Sequence, residues 1–447
     1  MPTLSADWIL LEDGFAPGLL IEHDRGTITA IRPGRAADHV SGALLPGMPN
    51  LHSHAFQRAF AGRTEYAGGG GDFWSWREAM YCAAGTIEPD TMVAVAAYLA
   101  MQCLRGGFTS LVEFHYLQNG RDGRPYAHRP AMAEAIIEGA QQAGIGLTML
   151  FGIYETGDFG GAPLQGGQIR FDTGPEAALA MLQDAQPQQG PALRFGLSPH
   201  SLRAVPPASL KALAEGVAGI DPSAPIHIHA AEQTAELTAC VAELGTTPVA
   251  WLLANAPVSP AWCLIHCTHT TPAERHGIAA SGAVAGLCPS TEGNLGDGIF
   301  GLPDFIEAQG HFGIGTDSHV SLDAFAELRL LEYSQRLRSQ KRNVLAGTSD
   351  HTGRTLWQAA CTGGAKAASR PIGALRVGHR ADLVAIEPTP EAFGMHPDFW
   401  LDSAIFANDQ QPARQVMAGG TWVVRDGTHV RQEAITAAYR RALEKLG

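Results

Sequence analysis

Between residues 46 and 370 the chain alternates short apolar runs with helix-patterned stretches, and that alternation leaves few architectures open. Residues 90–104 have helical character, Gly106-Gly107 stops them, and a strand follows over 108–114. The unit repeats as helix 130–143 with strand 146–151, strand 193–197 with helix 208–216, and strand 225–229 with helix 232–243. Strands at 262–266, 283–287 and 312–315 follow, and helices 322–337 and 355–368 close the series. Short buried strands joined by helices mean a parallel sheet covered by helices. About eight such units in roughly 320 residues predict an α/β fold of the (β/α)8 barrel type rather than an open sheet. No glycine-rich phosphate loop follows a strand, so a nucleotide-binding sheet has no support.

The two ends read differently. Residues 8–11, 19–22 and 27–31 are β-rich and separated by turns such as Asp13-Gly14 and Arg25-Gly26. Residues 381–386 and 421–424 repeat that style, with turns at Gly419-Gly420 and Asp426-Gly427. Residues 1–45 and 371–447 are therefore expected to form one small β-sandwich beside a barrel of residues 46–370. A terminal helix is expected over about 432–446. Gly68–Gly71 reads as a flexible loop.

Composition removes several function classes. With 45 % apolar and 17 % charged residues over 447 positions, neither disorder nor a stapled miniature scaffold is possible. The net charge of −13 and the lack of a Lys/Arg run argue against a nucleic-acid partner. No stretch approaches the roughly 20 apolar residues of a membrane span. The first residues lack the pattern of a secretory signal. Seven scattered cysteines read as reduced thiols, so a cytoplasmic protein is expected.

In a barrel of this kind chemistry sits at the C-terminal ends of the strands. The first strand runs into His52-Ser-His54, and side chains two residues apart on extended chain share a face. Strand 225–229 ends in His227-Ile-His229, followed by Ala-Ala-Glu232. Strand 262–266 ends in His266, and strand 312–315 runs into Asp317-Ser-His319. Any one of these could be a surface or a satisfied core histidine. Four strand ends delivering ligand-type side chains together point to a metal centre, since imidazole pairs suit zinc or a similar ion.

This constellation resembles the amidohydrolase superfamily over almost the whole chain. The resemblance is carried by Pro46-Gly47, His52-x-His54, the His229 and His266 strands and Asp317. It is carried also by Val377-Gly-His-Arg-Ala-Asp-Leu-Val and Val416-Met-Ala-Gly-Gly-Thr-Trp-Val-Val-Arg-Asp-Gly. The last two segments resemble the superfamily's sandwich, built from both chain ends. His229-Ala-Ala-Glu232 resembles the deaminase branch, in which a glutamate three residues after the metal histidine shuttles protons. Two-metal members bridge their ions with a carboxylated lysine on the fourth strand. Here the only lysine between the second and fifth strands is Lys211, on a predicted helix face. Glu113 could bridge, but nothing in its spacing favours that. The expectation is one divalent ion per subunit, zinc first, held by His52, His54, His229 and Asp317. His227 shares a face with His229 and is expected in a supporting role.

The chemistry expected is metal-assisted hydrolysis. Asp317 accepts the proton of the attacking water, His266 stabilises developing charge, and Glu232 carries a proton to the departing nitrogen. The plain alternative for Glu232 is a carboxylate favoured by a helix N-terminus. Gln57, Arg77, Tyr116, His200 and Arg203 lie in segments that reach the barrel mouth, and arginine forks there favour a carboxylate-bearing substrate.

The segments around them, with Cys288-Pro-Ser-Thr-Glu-Gly-Asn-Leu-Gly-Asp-Gly, resemble the formimidoylglutamate deiminase group. That resemblance implies conversion of N-formimino-L-glutamate and water to N-formyl-L-glutamate and ammonia, in histidine breakdown. It implies that Gln57, Arg77, Tyr116, His200 and Arg203 hold the two carboxylates of this small-molecule dicarboxylate, and that the enzyme is a homodimer. Leu117-Gln-Asn follows Tyr116 where the group has more histidines. The competing readings are an aminohydrolase of a guanine- or triazine-type heterocycle and a non-catalytic binding scaffold.

Overall fold

The chain enters through five strands, β1 (Thr3–Leu11), β2 (Gly14–Pro17), β3 (Leu19–Asp24), β4 (Thr27–Pro33) and β5 (Asp38–Pro46). The computed structural model describes residues 2–65, 73–347, 350–408 and 410–446, without the side chains of 73–75, 78, 79 and 83. The expected loop at Gly68–Gly71 lies outside the described residues. Between β3 and β4 the turn residues Arg25 and Gly26 have φ of 45° and 80°. Two consecutive positive φ values make the tight turn whose twist matches a hairpin.

The chain then passes into eight parallel strands. These are β6 (Met48–Ser53), β7 (Phe108–His115), β8 (Gly146–Ile153), β9 (Leu193–Pro199), β10 (Ile226–Ala230), β11 (Trp262–His266), β12 (Val284–Leu287) and β13 (His311–Ile314). They lie side by side in chain order. The ring is completed where Ser53 bridges Asp317 in parallel and the N–H groups of Thr316 and Asp317 donate to the His52 carbonyl at 3.1 and 3.0 Å. Gly47 stands at the entry to the barrel because a β-carbon there would lie 2.1 Å from Thr109 Oγ1.

Alternate residues of the strands face opposite ways. Leu111, Met149, Leu264 and Leu287 join the large core under the helices. Val112 and Leu150, and Leu51, Cys263, Ile265 and Val284, form two separate clusters with Ala367, Ala368 and Ile372. The end of helix Thr352–Ala368 thus plugs the N-terminal face of the barrel. There His227 Nε2–H donates to the Ala367 carbonyl at 2.9 Å and the Thr148 hydroxyl donates to Ala368 at 3.0 Å. His227 serves the plug, not the metal ligands as expected from its spacing.

After the plug the chain adds β14 (Leu383–Ile386), β15 (Gln415–Ala418), β16 (Thr421–Arg425) and β17 (Thr428–His429). Both chain ends hydrogen-bond into one nine-stranded sheet, with β14 antiparallel to β5, and β5 parallel to β1. This sheet encloses its own core of Leu4, Ile9, Ile21, Ile28, Val40, Leu44, Leu383 and Met417. The terminal helix is Gln432–Leu446. Among the described residues no single helix is long and apolar enough to cross a membrane.

Candidate metal centre and substrate cavity

Four side chains from two strand ends, β6 and β10, and the loop after β13 converge at the C-terminal mouth. The register of β6 against β7 shifts between Asn50 and Ser53, so simple alternation does not apply there. Even so, His52 Nε2 and His54 Nε2 lie 3.4 and 3.3 Å from the same oxygen, Asp317 Oδ1. His229 Nε2 lies 3.1 Å from His52 Nε2 and 3.3 Å from His54 Nε2. Gly315 permits this approach, since a β-carbon there would sit 2.6 Å from the His52 β-carbon.

The donor chemistry fits a cation. His54 Nδ1 faces the Phe114 carbonyl and His229 Nδ1 the His200 carbonyl, each at 2.8 Å. A carbonyl only accepts, so the ring proton of each is on Nδ1 and Nε2 carries a bare lone pair. Bare nitrogens this close repel one another unless a cation lies between them. A tetrahedral site with nitrogen ligands about 2.0–2.1 Å from the ion has ligand–ligand edges of roughly 3.3 Å. Burial holds His52 and His229 far below the ordinary imidazole pKa and His54 down to about 3, so all three stay neutral.

Beside them is an acid–base cluster. His266 Nε2 lies 3.7 Å from Glu232 Oε1 and 3.8 Å from Asp317 Oδ2, and its Nδ1 is 3.3 Å from Glu292 Oε1. Burial alone would lower His266, but the Glu232, Glu292 and Asp317 carboxylates outweigh it and raise it to about 10. Burial, opposed by His266 and aided by Asp317, Glu236 and Glu292, pushes Glu232 up to about 7. Asp297 completes the group, and burial and the Glu232 charge raise it to about 9. The helix expected from residue 232 begins at Thr234. Glu236 accepts the N–H groups of Ala231 and Glu232, at 3.2 and 2.9 Å, which leaves the Glu232 side chain free of helix capping. Ala231, His266, Cys267, Asp317 and His319 all have positive φ, so left-handed backbone gathers around this centre.

A cavity with about 550 Å³ of empty space opens over the cluster. Gln57, Arg77, Tyr116, His200 and Arg203 all line it, together with His54, His229, Glu232, His266 and Asp317. The His200 ring stands between His229, 4.8 Å away, and Tyr154, 4.7 Å away. Arg203 lies beyond, donating to the Tyr154 hydroxyl and the Gly157 carbonyl at 3.2 Å each. Gln57 Nε2–H donates to the Tyr116 oxygen at 3.1 Å, which leaves the phenolic hydrogen able to donate into the cavity. Burial holds the Tyr116 hydroxyl well above its usual pKa, so it remains protonated.

Sequence reasoning missed Tyr81, Tyr154, Phe171, Glu292 and Asp297. Tyr154 directly follows the third barrel strand, a position the strand-end rule covers. Tyr81 is one helical turn after Arg77, whose guanidinium lies 5.6 Å from its ring centroid. Glu292 and Asp297 sit in the Cys288–Gly298 segment, where the sequence carries a resemblance but no spacing that marks either carboxylate.

The amidohydrolase family model matches residues 43–423. The formimidoylglutamate deiminase of Pseudomonas aeruginosa is 45 % identical, with 100 % of both chains covered. An amidohydrolase from Brucella melitensis superposes with a TM-score of 0.94 at 41 % identity, covering 100 % of both chains. An adenosine deaminase from Xanthomonas campestris, solved with bound zinc, gives 0.81 at 22 % identity over 99 % of this chain and 98 % of that one, a likeness of fold.

Proposed function

The chain belongs to the amidohydrolase family, and from that premise we propose that it hydrolyses N-formimino-L-glutamate to N-formyl-L-glutamate and ammonia. The observation that carries this reading is that one cavity joins two sets of groups. An ion site with Glu232 and His266 beside it lies at its floor, and Arg77, Arg203 and the Tyr116 hydroxyl lie along its wall. The 45 % identical formimidoylglutamate deiminase supports it. Aromatic rings also line the cavity, but a heterocycle has no use for two guanidinium groups.

His52, His54, His229 and Asp317 would hold one divalent ion, and three imidazoles with one carboxylate favour zinc. When bound, such an ion supplies Lewis acidity that brings the pKa of a coordinated water to about 7. Asp317 accepts the proton of the attacking water through Oδ2, the oxygen turned away from His52 and His54. The cationic His266 stabilises charge as the formimino carbon becomes tetrahedral. Glu232 then protonates the terminal nitrogen, the proton held by Asp317 follows to it, the C–N bond breaks, and ammonia leaves as the hydroxyl proton passes to the Glu232 carboxylate and the formyl carbonyl forms. Arg77 and Arg203 meet the carboxylates, with Tyr116, His200 and Gln57 fixing the orientation.

The test is ammonia release from N-formimino-L-glutamate by metal-replete protein. Turnover is expected with this substrate and not with guanine or a triazine, and chelation is expected to abolish it until zinc is restored. Release from a purine alone would sink the substrate assignment. Removing one charged hydrogen-bonding partner costs about 1.5–3 kcal/mol. Arg203→Ala is therefore expected to lower kcat/KM roughly 10- to 100-fold, mainly through KM. An unchanged value in steady-state assays would remove Arg203 from the substrate site.

A further inference from the structure

Glu113 has no part in the chemistry above, yet it lies at 0 % exposure in the barrel wall, and among the described residues no Lys, Arg or His pairs with it. Both its oxygens are engaged: Oε2 takes the Ser53 hydroxyl at 2.6 Å and Oε1 takes the Ala55 N–H at 2.7 Å. Its two partners flank His54.

From Ser53 a chain of hydrogen bonds runs across the seam of the barrel, and one direction gives every member a partner. Asn50 Oδ1 accepts the Thr316 and His52 N–H groups at 3.1 and 3.3 Å. Its amide Nδ2–H therefore donates to Thr316 Oγ1, at 2.7 Å. The Thr316 hydroxyl, accepting there, gives its own hydrogen to His319 Nδ1 at 2.9 Å. His319 then carries its proton on Nε2 and donates to Ser53 Oγ at 3.3 Å. Ser53, accepting in turn, donates to Glu113. The two backbone N–H groups on Asn50 fix the first step, and the direction described leaves each later group with a partner.

The chain touches both ends of the ligand set. Ser53 and Ala55 bracket His54, Thr316 precedes Asp317, and His319 follows it by two. Asp317 and His319 have left-handed backbone, with φ of 46° and 66°, a conformation that surrounding contacts must hold.

We propose that Glu113 is a positioning residue for the metal centre, the end member of a hydrogen-bonded chain that locks the His52-x-His54 segment against the Asp317 loop. This rests on the reading above only in taking those residues as ligands. Residues that orient metal ligands typically change metal affinity 10- to 100-fold when replaced. Glu113→Gln keeps the size and an acceptor for Ser53 but turns an N–H₂ group towards the Ala55 N–H. Its zinc Kd, measured by competition with a chromophoric chelator, is expected to rise 10- to 100-fold. The visible absorption of the cobalt-substituted variant is expected to shift as well. Ser53→Ala, which cuts the chain one step earlier and leaves the Ala55 bond, is expected to raise the Kd less. The double variant should bind no more weakly than Glu113→Gln. A Kd equal to wild type in Glu113→Gln, with or without a lower melting temperature of the metal-free protein, would overturn the proposal. If Glu113→Gln does not fold, an unchanged Kd in Ser53→Ala overturns it. Wild-type protein that binds zinc tightly but releases no ammonia would sink the substrate reading instead, so the two failures are told apart.

Discussion

Asp317→Asn is expected to lower kcat/KM for ammonia release by about 10⁴-fold, the upper range for loss of a positioned proton acceptor. The reason is geometric. Oδ1 sits 3.4 and 3.3 Å from the Nε2 atoms of His52 and His54, while Oδ2 is directed at His266, 3.8 Å away. One carboxylate thus divides its oxygens between the ion site and the proton-transfer cluster. An amide is a poor ligand through one atom and cannot take a proton through the other. The assay is steady-state turnover with zinc content measured on the same samples. A loss confined to zinc content, recovered in full by added zinc, would leave Asp317 as a ligand alone. A variant keeping more than about a tenth of the activity would remove it from both roles.

Much of this site was legible because barrel folds give position a meaning. His52, His54, His229, His266 and Asp317 could be singled out by lying just past apolar runs, where the strands deliver side chains to the mouth. They fall into two groups that share His52, one with His54 and His229 and one with His266 and Asp317. The residues that hold them were not legible, because their partners are remote in sequence. Ser53 meets Glu113 across 60 positions, and Asn50 meets Thr316 across 266. Likewise His227 shares a strand face with His229, yet its partner is the Ala367 carbonyl, 140 residues later. The helices at Pro248–Asn255, Pro289–Leu295 and Leu302–Glu307 escaped for another reason. In helices of eight residues or fewer, a 3.6-residue period has too few repeats to stand out, and only the proline at or beside the first position announces them. At the chain ends the strands could be read from their own residues. That β5 lies between β1 and β14 could not, since sheet order depends on which buried faces meet.

Glu232→Gln is expected to reduce kcat by about 10³-fold while the protein still binds zinc, since glutamine keeps the volume and loses the acid. The pH profile is the sharper measurement. A general acid works in its protonated form. With its carboxyl pushed up to about 7 by burial, Glu232 loses that form as the pH rises through neutrality. Wild-type kcat/KM should therefore fall about tenfold per pH unit on the alkaline side of a limb near 7. Neighbouring groups do not produce this limb. His266, raised to about 10 by the Glu232, Glu292 and Asp317 carboxylates against its burial, stays cationic throughout. Asp297, raised to about 9 by burial and the Glu232 charge, stays protonated through neutrality. In Glu232→Gln the falling limb should be absent, so the residual rate should not decrease between pH 6 and 8. A limb near 7 that survives the substitution would mean that another group delivers the proton to the leaving nitrogen. Glu232 would then be retained only for the charge it places beside His266.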